Sequence, residues 1–521
     1  MTTTSSNTTP PKKSINLLRG WPSKRLLPAD ALRTASQKAL SDPAIFHPGL
    51  LYGPDAGYAP LREVLAGWLA RFYHSRGDEA GSIGSAGEDV TGDGAGGDDE
   101  GANRIAITGG ASQSIACLLQ SFTDPARTRA VWMVAPCYFL ACPIFADAGF
   151  EGRLRAVPED GEGVDLGVLE AGLRAVDEEA DDDKGVVYGG GSGGVSDDGG
   201  KGKGNGGRGI GYKDPGPYRK IYRHIIYCVP SFANPSGKTM SLRRREGLVR
   251  LAREHDALVI CDDVYDFLQW RTASPTSPST PTPLTTTLLP RLADLDLALG
   301  PSPHDPPGTY FGHALSNGSF SKLVAPGTRT GWTYSTPALA LGVSQTGSTR
   351  SGGAPSQLCA AILCEMLRAG DLSTHIEHTL LPAYQRRHAL LLGAVQRELV
   401  PLGVKVQEAS LSGRADVFGG YFVWVTLPAP GPTARAVAER CKREEKLMVG
   451  WGDMFEVHGD EKAVRFEREV RLCFAWEDEE DLVEGVERLG RVLGRMLEEG
   501  PEGWTGMDGD GDRGEDIDQM K

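Results

Sequence analysis

The sequence has few of the features that mark secreted, membrane-bound or nucleic-acid-binding proteins. Its nine cysteines include no Cys-x-x-Cys pair, which indicates reduced core thiols rather than a disulfide framework or a zinc site. No apolar run approaches the roughly 18 residues of a membrane span, and the N-terminus has no hydrophobic leader region. The net charge of −14 argues against nucleic-acid or anionic-membrane partners. We therefore predict a cytoplasmic protein with neither kind of partner, and the histidine spacing gives no reason to expect a metal site.

Three stretches of biased composition interrupt an otherwise globular sequence, in which 40% of residues are apolar and 24% are charged. Two of these stretches, at about 76–102 and 178–217, are rich in Gly, Asp and Ser. The third, at 271–309, is rich in Pro, Thr and Ser. Such segments bury too little apolar area to offset their chain entropy, so we interpret them as surface insertions. Residues 1–13 and the acidic stretch 500–521 are predicted to be disordered tails. The remaining roughly 400 residues suit a large α/β domain and a smaller one.

Short β-rich runs alternate with helical patterns between the insertions. The runs are "RIAIT" (104–108), "AVWMVA" (130–135), "HIIYCVP" (224–230) and "ALVICDD" (257–263). Ser241 is a predicted N-cap for a helix between the last two. This order predicts right-handed βαβ units and a largely parallel sheet, whose carboxyl edge is where such folds bind ligands.

The residues that follow these runs are therefore the candidates for a binding site. They are Ser112 and Gln113 after a glycine turn, Tyr138, Asn234 before a proline, and the adjacent acids Asp262 and Asp263 with Tyr265. A helix that starts at a glycine turn offers free N–H groups to an anion such as phosphate. Taken singly, each residue also has an ordinary structural explanation, such as an N-cap, a core aromatic or a turn. The two acids could bind a metal, cap a helix or pair with a protonated heterocycle.

The stretch "GSFSKLVAPGTRTGW" (318–332) places Lys322 seven residues before Arg329 with no acidic residue nearby. We expect the pKa of this amine to be lowered, which would make it a nucleophile toward carbonyls and suit Schiff-base formation. An aldehyde cofactor with a phosphate and a ring nitrogen would use the strand-end groups as well. We assign Ser112, Ser319 and Arg329 to the phosphate, Tyr138 to the ring face, Asn234 and Tyr265 to the ring hydroxyl oxygen, and an acid to the ring nitrogen.

Eight motifs occur together in one order: "LLYGPDAGYAPLRE", "GGASQS", "APCYF", "NPSGKT", "ICDDVYDFL", "SFSKLVAPGTRTGW", "GGYFVWVTLP" and "EVRLCFAW". In this set the sequence resembles the class I/II aminotransferases among the fold-type I pyridoxal-phosphate enzymes. Within them it is most similar to the branch of α-aminoadipate and kynurenine aminotransferases, over about residues 14–495 without the insertions. The resemblance implies a large cofactor-binding domain (45–345) with a mostly parallel sheet flanked by helices. It also implies a smaller α+β domain built from the N-terminal segment (14–44) and the C-terminal part (346–499).

The resemblance also implies roles that spacing alone leaves open. Lys322 would carry pyridoxal 5'-phosphate, and Asp262 rather than Asp263 would face the ring nitrogen, because the family places that acid three residues before the tyrosine. Tyr265 occupies that tyrosine position. Asp263 is then expected to be structural.

Three further residues are implied only by their place in the family's motifs. Tyr52 matches a tyrosine that reaches the cofactor phosphate of a neighbouring subunit, so the resemblance implies a homodimer with shared active sites. Arg471 matches the arginine that clamps the substrate α-carboxylate. Gly20 lies where the N-terminal segment closes over the substrate, although "GWPSKRLLP" departs from the common pattern there.

The implied function is ping-pong transamination in amino-acid metabolism. Lys322 would act as general base and acid while an amino group moves from an L-amino acid, aromatic or 2-aminoadipate-like, to a 2-oxo acid such as 2-oxoglutarate. Another pyridoxal-phosphate reaction, such as C–S lysis or decarboxylation, is an alternative that would use the same lysine and acid. A cofactor-binding regulator without turnover is a third reading, disfavoured by the acidic charge and the short segment before "INLLRGWP".

Overall fold

The computed structural model describes residues 12–73, 101–182, 213–271, 287, 289–407 and 417–504. Within these residues the strands are β1 (Ile15–Asn16), β2 (Ile105–Thr108), β3 (Ala130–Ala135), β4 (Leu154–Asp160), β5 (Gly163–Val164), β6 (His224–Cys228), β7 (Ala257–Asp262), β8 (Gln269–Arg271), β9 (Ala314–Ser319), β10 (Gly331–Tyr334), β11 (Lys405–Gln407), β12 (Val417–Gly419), β13 (Phe422–Thr426), β14 (Leu447–Met448), β15 (Gly450–Trp451) and β16 (Glu469–Cys473).

The α-helices within the same residues are α1 (Ala29–Ser41), α2 (Pro43–Leu50), α3 (Ala59–Tyr73), α4 (Ala111–Phe122), α5 (Cys142–Phe145), α6 (Leu166–Asp182), α7 (Leu242–Glu254), α8 (Leu292–Leu299), α9 (Pro337–Ser344), α10 (Gln357–Arg368), α11 (Asp371–His375), α12 (Leu381–Glu398), α13 (Ala434–Arg440) and α14 (Glu479–Glu499). Ser241 is the N-cap of helix α7, as predicted, and its Oγ accepts a hydrogen bond from the Arg244 N–H at 3.3 Å.

The central sheet has eight strands in the order β2-β10-β9-β7-β6-β3-β4-β5. Strands β9, β7, β6, β3 and β4 pair in parallel, whereas β10 runs antiparallel to both of its neighbours, β2 and β9. Strands β6 and β7 are buried along their whole length, which explains their continuous apolar sequences. The predicted, mostly parallel sheet is confirmed, and β2, β3, β6, β7 and β9 all end at the same edge.

A second, antiparallel sheet in the C-terminal part has the order β11-β13-β16-β15. The long helix α14 supports this region with a buried face that includes Leu482, Val486, Leu489 and Leu493. Strand β1 pairs in parallel with β14, Ile15 opposite Leu447. This pairing joins the N-terminal segment to the C-terminal part of the chain.

Most of the predicted insertions lie outside the described residues, as do 1–11 and 505–521. One predicted insertion, 271–309, is partly wrong. Its second half contains helix α8, whose Leu292 and Ala293 are buried in the core. The Pro- and Thr-rich composition extends over only the first half of that range, whereas "LADLDLAL" has the apolar content to pack against the sheet.

Candidate active site

A cavity of about 230 Å³ opens at the carboxyl edge of the central sheet. Ten of the twelve residues predicted from the sequence line it, namely Gly20, Ser112, Tyr138, Asn234, Asp262, Tyr265, Ser319, Lys322, Arg329 and Arg471. These residues come from five strand ends, the N-terminal segment and the second sheet. Gln113 and Tyr52 are the two that do not line this cavity.

Lys322 follows β9 and points its amine into the cavity, where Nζ donates a hydrogen bond to the Gly20 carbonyl at 2.8 Å. Burial lowers the pKa of Lys322 to about 8, which confirms the predicted direction. The expected cause was wrong, because desolvation dominates and Arg471 is the cation that adds to it. Arg329 instead donates to the carbonyls of Gly109 and Pro326, at 2.8 and 3.0 Å.

Asp262 is the last residue of β7 and is buried at the base of the cavity. Its Oδ2 accepts a hydrogen bond from the Tyr227 hydroxyl at 2.9 Å, whereas Oδ1 is buried without a hydrogen-bond partner among the described residues. Burial raises the pKa of Asp262 to about 6. Asp263 is buried as well but does not line the cavity. A buried carboxylate oxygen without a partner suits a cationic donor such as a protonated ring nitrogen.

The start of α4 and the turn around Arg329 form one wall of the cavity. Gly110 precedes the helix with φ 99°, and a Cβ there would lie 2.6 Å from Arg329 Nη2, so only glycine fits. Ser112 is exposed on the first turn of α4, and Ser319 Oγ donates to Ser321 Oγ at 2.9 Å. Free N–H groups at a helix start, hydroxyls and a guanidinium together make a site for a phosphate group.

Arg471 lies on β16, and its guanidinium is buried between the aromatic rings of Phe422 and Phe455, at 4.2 and 4.7 Å from their centroids. Its Nη1 donates to Asn234 Oδ1 at 2.6 Å, and Nη2 donates to the Leu18 carbonyl. Burial lowers the pKa of Arg471 to about 10, so it remains cationic at neutral pH. A buried cation with neutral partners would gain from an anionic ligand such as a carboxylate.

Two phenols complete the cavity wall. Burial raises the pKa of Tyr138 to about 12 and the pKa of Tyr265 well above its usual value. Both hydroxyls are therefore protonated at neutral pH and can donate hydrogen bonds. Tyr265 lies close to the Tyr421 ring, with 5.4 Å between ring centroids.

The two predicted residues outside the cavity have other surroundings. Gln113 Oε1 accepts from the Gly109 N–H at 2.8 Å, and its Nε2 donates to Cys117 Sγ at 2.9 Å, so its side chain supports the glycine turn. The interpretation of Gln113 as a cofactor-binding residue stays a prediction, and its side chain does not line this cavity. Tyr52 is 91% exposed and lines a separate surface cavity of about 710 Å³ with residues 349–352 and 354–358. It contributes nothing to the cavity of its own chain.

Sequence reasoning missed several residues that shape the site. Tyr227 lies within a buried strand and reaches Asp262 only because β6 and β7 are neighbours. Leu18 contributes a backbone carbonyl to Arg471, and Tyr421 places its ring 5.1 Å from Lys322 Nζ. The alternating aromatic residues of "GGYFVWV" were a sequence signal for Tyr421.

The cavity fits pyridoxal phosphate because it joins a phosphate-binding wall, a nucleophilic lysine and an unpartnered buried carboxylate oxygen. Among the described residues no group of His, Cys, Asp and Glu is arranged to hold a metal ion. In the same part of the chain, no helix is long and apolar enough to cross a membrane. The fold and this site define a fold-type I pyridoxal-phosphate enzyme.

Comparison with known proteins identifies the family. The model of the aminotransferase class I and II family matches residues 92–489. The chain is 32% identical over 492 residues to the uncharacterized protein YER152C of Saccharomyces cerevisiae, with 92% of this chain and 97% of that protein covered. It is 25% identical over 484 residues to aromatic-amino-acid aminotransferase 1 of Thermococcus litoralis, with 92% and 88% covered.

A solved structure has the same fold. The α-aminoadipate aminotransferase LysN of Thermus thermophilus, crystallised with N-(5'-phosphopyridoxyl)-L-leucine, superposes with a TM-score of 0.63 at 23% identity, covering 93% of each chain. The protein belongs to the class I and II aminotransferases and is a pyridoxal-phosphate-dependent transaminase.

Proposed function

We propose that this aminotransferase moves the amino group of an L-amino acid, aromatic or 2-aminoadipate-like, to a 2-oxo acid such as 2-oxoglutarate by a ping-pong mechanism. The observation that carries the proposal is the presence of Lys322 and Arg471 in one cavity. The Lys322 amine can form a Schiff base with an aldehyde, and the Arg471 guanidinium can hold a carboxylate. An α-amino acid and a 2-oxo acid both carry a carboxylate beside the carbon that bears the amino or oxo group, so both suit this pair of side chains.

The chain's residues would hold the cofactor at three places. The start of α4 with Ser112, Ser319 and Arg329 would bind its phosphate, and Asp262 Oδ1 its ring nitrogen. Asn234 and Tyr265 also line the cavity and would bind the ring hydroxyl oxygen. Bound pyridoxal phosphate supplies an aldehyde that accepts the substrate nitrogen and a protonated ring that withdraws electrons from the substrate α-carbon.

Lys322 would then act as the proton-transfer group. With a pKa of about 8, its Nζ is close to the balance that general acid–base catalysis at neutral pH requires. It would take the proton from the substrate α-carbon and deliver it to the cofactor carbon that carries the nitrogen. Arg471 would hold the α-carboxylate so that the α-proton faces Nζ, which is a positioning effect.

We expect the apolar part of the cavity to receive the substrate side chain. Leu18, Trp21, Phe139 and Leu140 line it, and the cations among the described lining residues are Lys322, Arg329 and Arg471. This lining supports aromatic amino donors, the class named for the Thermococcus relative. A 2-aminoadipate-like donor, suggested by the LysN likeness, would place its second carboxylate near the solvent-facing mouth.

A homodimer is the assembly that would give Tyr52 a role in catalysis. Its side chain is exposed beside Leu50 and Leu51, which are themselves 59% and 68% exposed. A second copy of the chain packed on this surface would bury three large apolar side chains. We propose that Tyr52 then contacts the cofactor phosphate of the other subunit.

Half-reaction kinetics test the proposed function. The cofactor-loaded enzyme is mixed with phenylalanine, tyrosine, kynurenine or 2-aminoadipate, and the loss of cofactor absorbance is followed. After removal of the amino acid, 2-oxoglutarate should restore that absorbance and yield glutamate in equal amount. Formation of ammonia, a thiol or carbon dioxide instead would indicate a lyase or decarboxylase, and absence of any reaction with all four donors would refute the proposed substrates.

A further inference from the structure

The Asp262 carboxylate accepts a hydrogen bond from Tyr227, a buried residue that lies outside the eight sequence motifs. We propose that Tyr227 is a positioning residue for the cofactor ring nitrogen: its hydroxyl fixes one oxygen of Asp262 so that the other faces the cavity. The inference rests on the cofactor placement and not on the choice of amino acid.

The geometry comes from two neighbouring strands. Tyr227 pairs with Ile260 in the parallel register of β6 and β7, and its side chain reaches Asp262 near the carboxyl end of β7. The hydroxyl donates to Asp262 Oδ2 at 2.9 Å, and Tyr227 and Asp262 are 1% and 6% exposed. The Tyr227 ring is packed edge-on against Phe145 at 5.7 Å between centroids. The phenol is therefore fixed, and so is the orientation of the carboxylate.

The direction of the hydrogen bond determines its effect on charge. Burial raises the pKa of Tyr227 well above its usual value, so the phenol stays protonated and the carboxylate accepts. Burial favours the neutral acid at Asp262, and the Tyr227 hydrogen bond opposes this. The other titratable groups that interact with Asp262 are Lys322, whose charge also favours the carboxylate, and the phenols of Tyr138 and Tyr265. Tyr227 is thus the hydrogen-bonding group that keeps Asp262 ionised before the cofactor binds.

Replacing Tyr227 with phenylalanine removes the hydroxyl and keeps the packed ring. Asp262 Oδ2 would then lose its donor, and the carboxylate would take up a proton at higher pH. Loss of a hydrogen bond to a charged group should raise the pKa of Asp262 by about one to two units. A protonated, freely rotating Asp262 would no longer present an anionic oxygen to the ring nitrogen.

The test is the dissociation constant of pyridoxal phosphate from the apoenzyme, measured from pH 5 to pH 9 by quenching of tryptophan fluorescence. For Tyr227→Phe we expect the acid midpoint of the binding curve to move up by about one to two pH units relative to wild type. The cofactor phosphate titrates identically with both proteins, so the difference reports on the protein. A uniform weakening at every pH, with the midpoint unchanged, would overturn the proposal.

Tyr73→Phe is the matched control, because the half-buried Tyr73 also donates a hydrogen bond to a buried carboxylate, Asp266, at 2.8 Å. It lines no part of the cavity and should leave the binding midpoint unchanged. A shift equal to that of Tyr227→Phe would show a general effect on the buried acids and would contradict the specific role.

A double-mutant cycle separates an action through Asp262 from a direct one. In an Asp262→Ala background, Tyr227→Phe should cause no further change in cofactor affinity or in its pH dependence. An additive loss would overturn the proposal. Tyr227→Met, which also lacks a hydroxyl, should reproduce the midpoint shift. Failure of both single variants to fold, judged from thermal unfolding, would assign the hydroxyl to the fold and refute a positioning role.

Discussion

Arg471→Lys is the substitution that isolates recognition of the substrate carboxylate. The structure holds the guanidinium between Phe422 and Phe455 and gives it Asn234 and the Leu18 carbonyl as partners, so a fork of donors is oriented before substrate arrives. A lysine keeps the charge but offers a single rotating donor group that cannot bind a carboxylate in two places. Loss of one charge-assisted hydrogen bond, worth about 1.5–3 kcal/mol, predicts a fall in kcat/KM of roughly 10- to 150-fold.

The assay compares an amino acid with the amine that lacks its carboxylate. Single-turnover rates with phenylalanine should fall by roughly that factor in Arg471→Lys, whereas the slow rate with phenethylamine should not change. Arg245→Lys is a matched control, since Arg245 is also buried and donates to neutral groups, including the Ser231 hydroxyl at 2.9 Å. It should alter thermal stability without changing the ratio of the two rates. An equal fall with the amine and the amino acid in Arg471→Lys would refute the carboxylate assignment.

Three further predictions concern the charge, the phosphate wall and the assembly. Burial lowers the pKa of Lys322 from 10.5 to about 8, so the folded apoenzyme binds fewer protons than the unfolded chain between these values, and its stability rises with pH there. Denaturant titrations should accordingly give Lys322→Met apoprotein a free energy of unfolding up to about 3 kcal/mol above that of wild type at pH 7, and this difference should shrink towards pH 10. A difference that stays constant with pH would contradict the prediction. Gly110→Ala should weaken pyridoxal phosphate binding about tenfold or more through its clash with Arg329, whereas Gly308→Ala, at φ 79° with open space around its Cβ position, should cost stability alone; equal affinities in fluorescence titrations would count against the phosphate site. Mixing inactive Lys322→Ala with Tyr52→Phe should restore about a quarter of wild-type activity if active sites are shared, because half of randomly formed dimers carry one intact site; no recovery would refute sharing.

The strands and their common edge could be predicted because buried parallel strands have distinctive apolar sequences. Strand β3 occupies the predicted residues, and β6 and β7 differ from the predicted ranges only at their carboxyl ends. Helix α8 was missed because the biased composition next to it hid a short apolar helix.

The site was predictable as a set of residues and not as a set of contacts. Side chains at strand ends could be collected from order along the chain, since parallel strands bring their carboxyl ends together. The partners of those side chains depend on register and on distant segments: Tyr227 reaches Asp262 across two strands, and Leu18 reaches Arg471 from the N-terminal segment. For the same reason the lowered pKa of Lys322 was predicted while its main cause, burial, was not.

The central claim is that Lys322 carries the cofactor in this cavity. Wild type and Lys322→Ala, each saturated with pyridoxal phosphate, are treated with borohydride, digested and examined by mass spectrometry, with the visible absorbance band recorded beforehand. We expect a visible band and a reduced cofactor attached to the peptide containing Lys322 in wild type, and neither in the variant. Equal labelling of the variant, or labelling of another lysine in wild type, would contradict the assignment of this cavity as the active site.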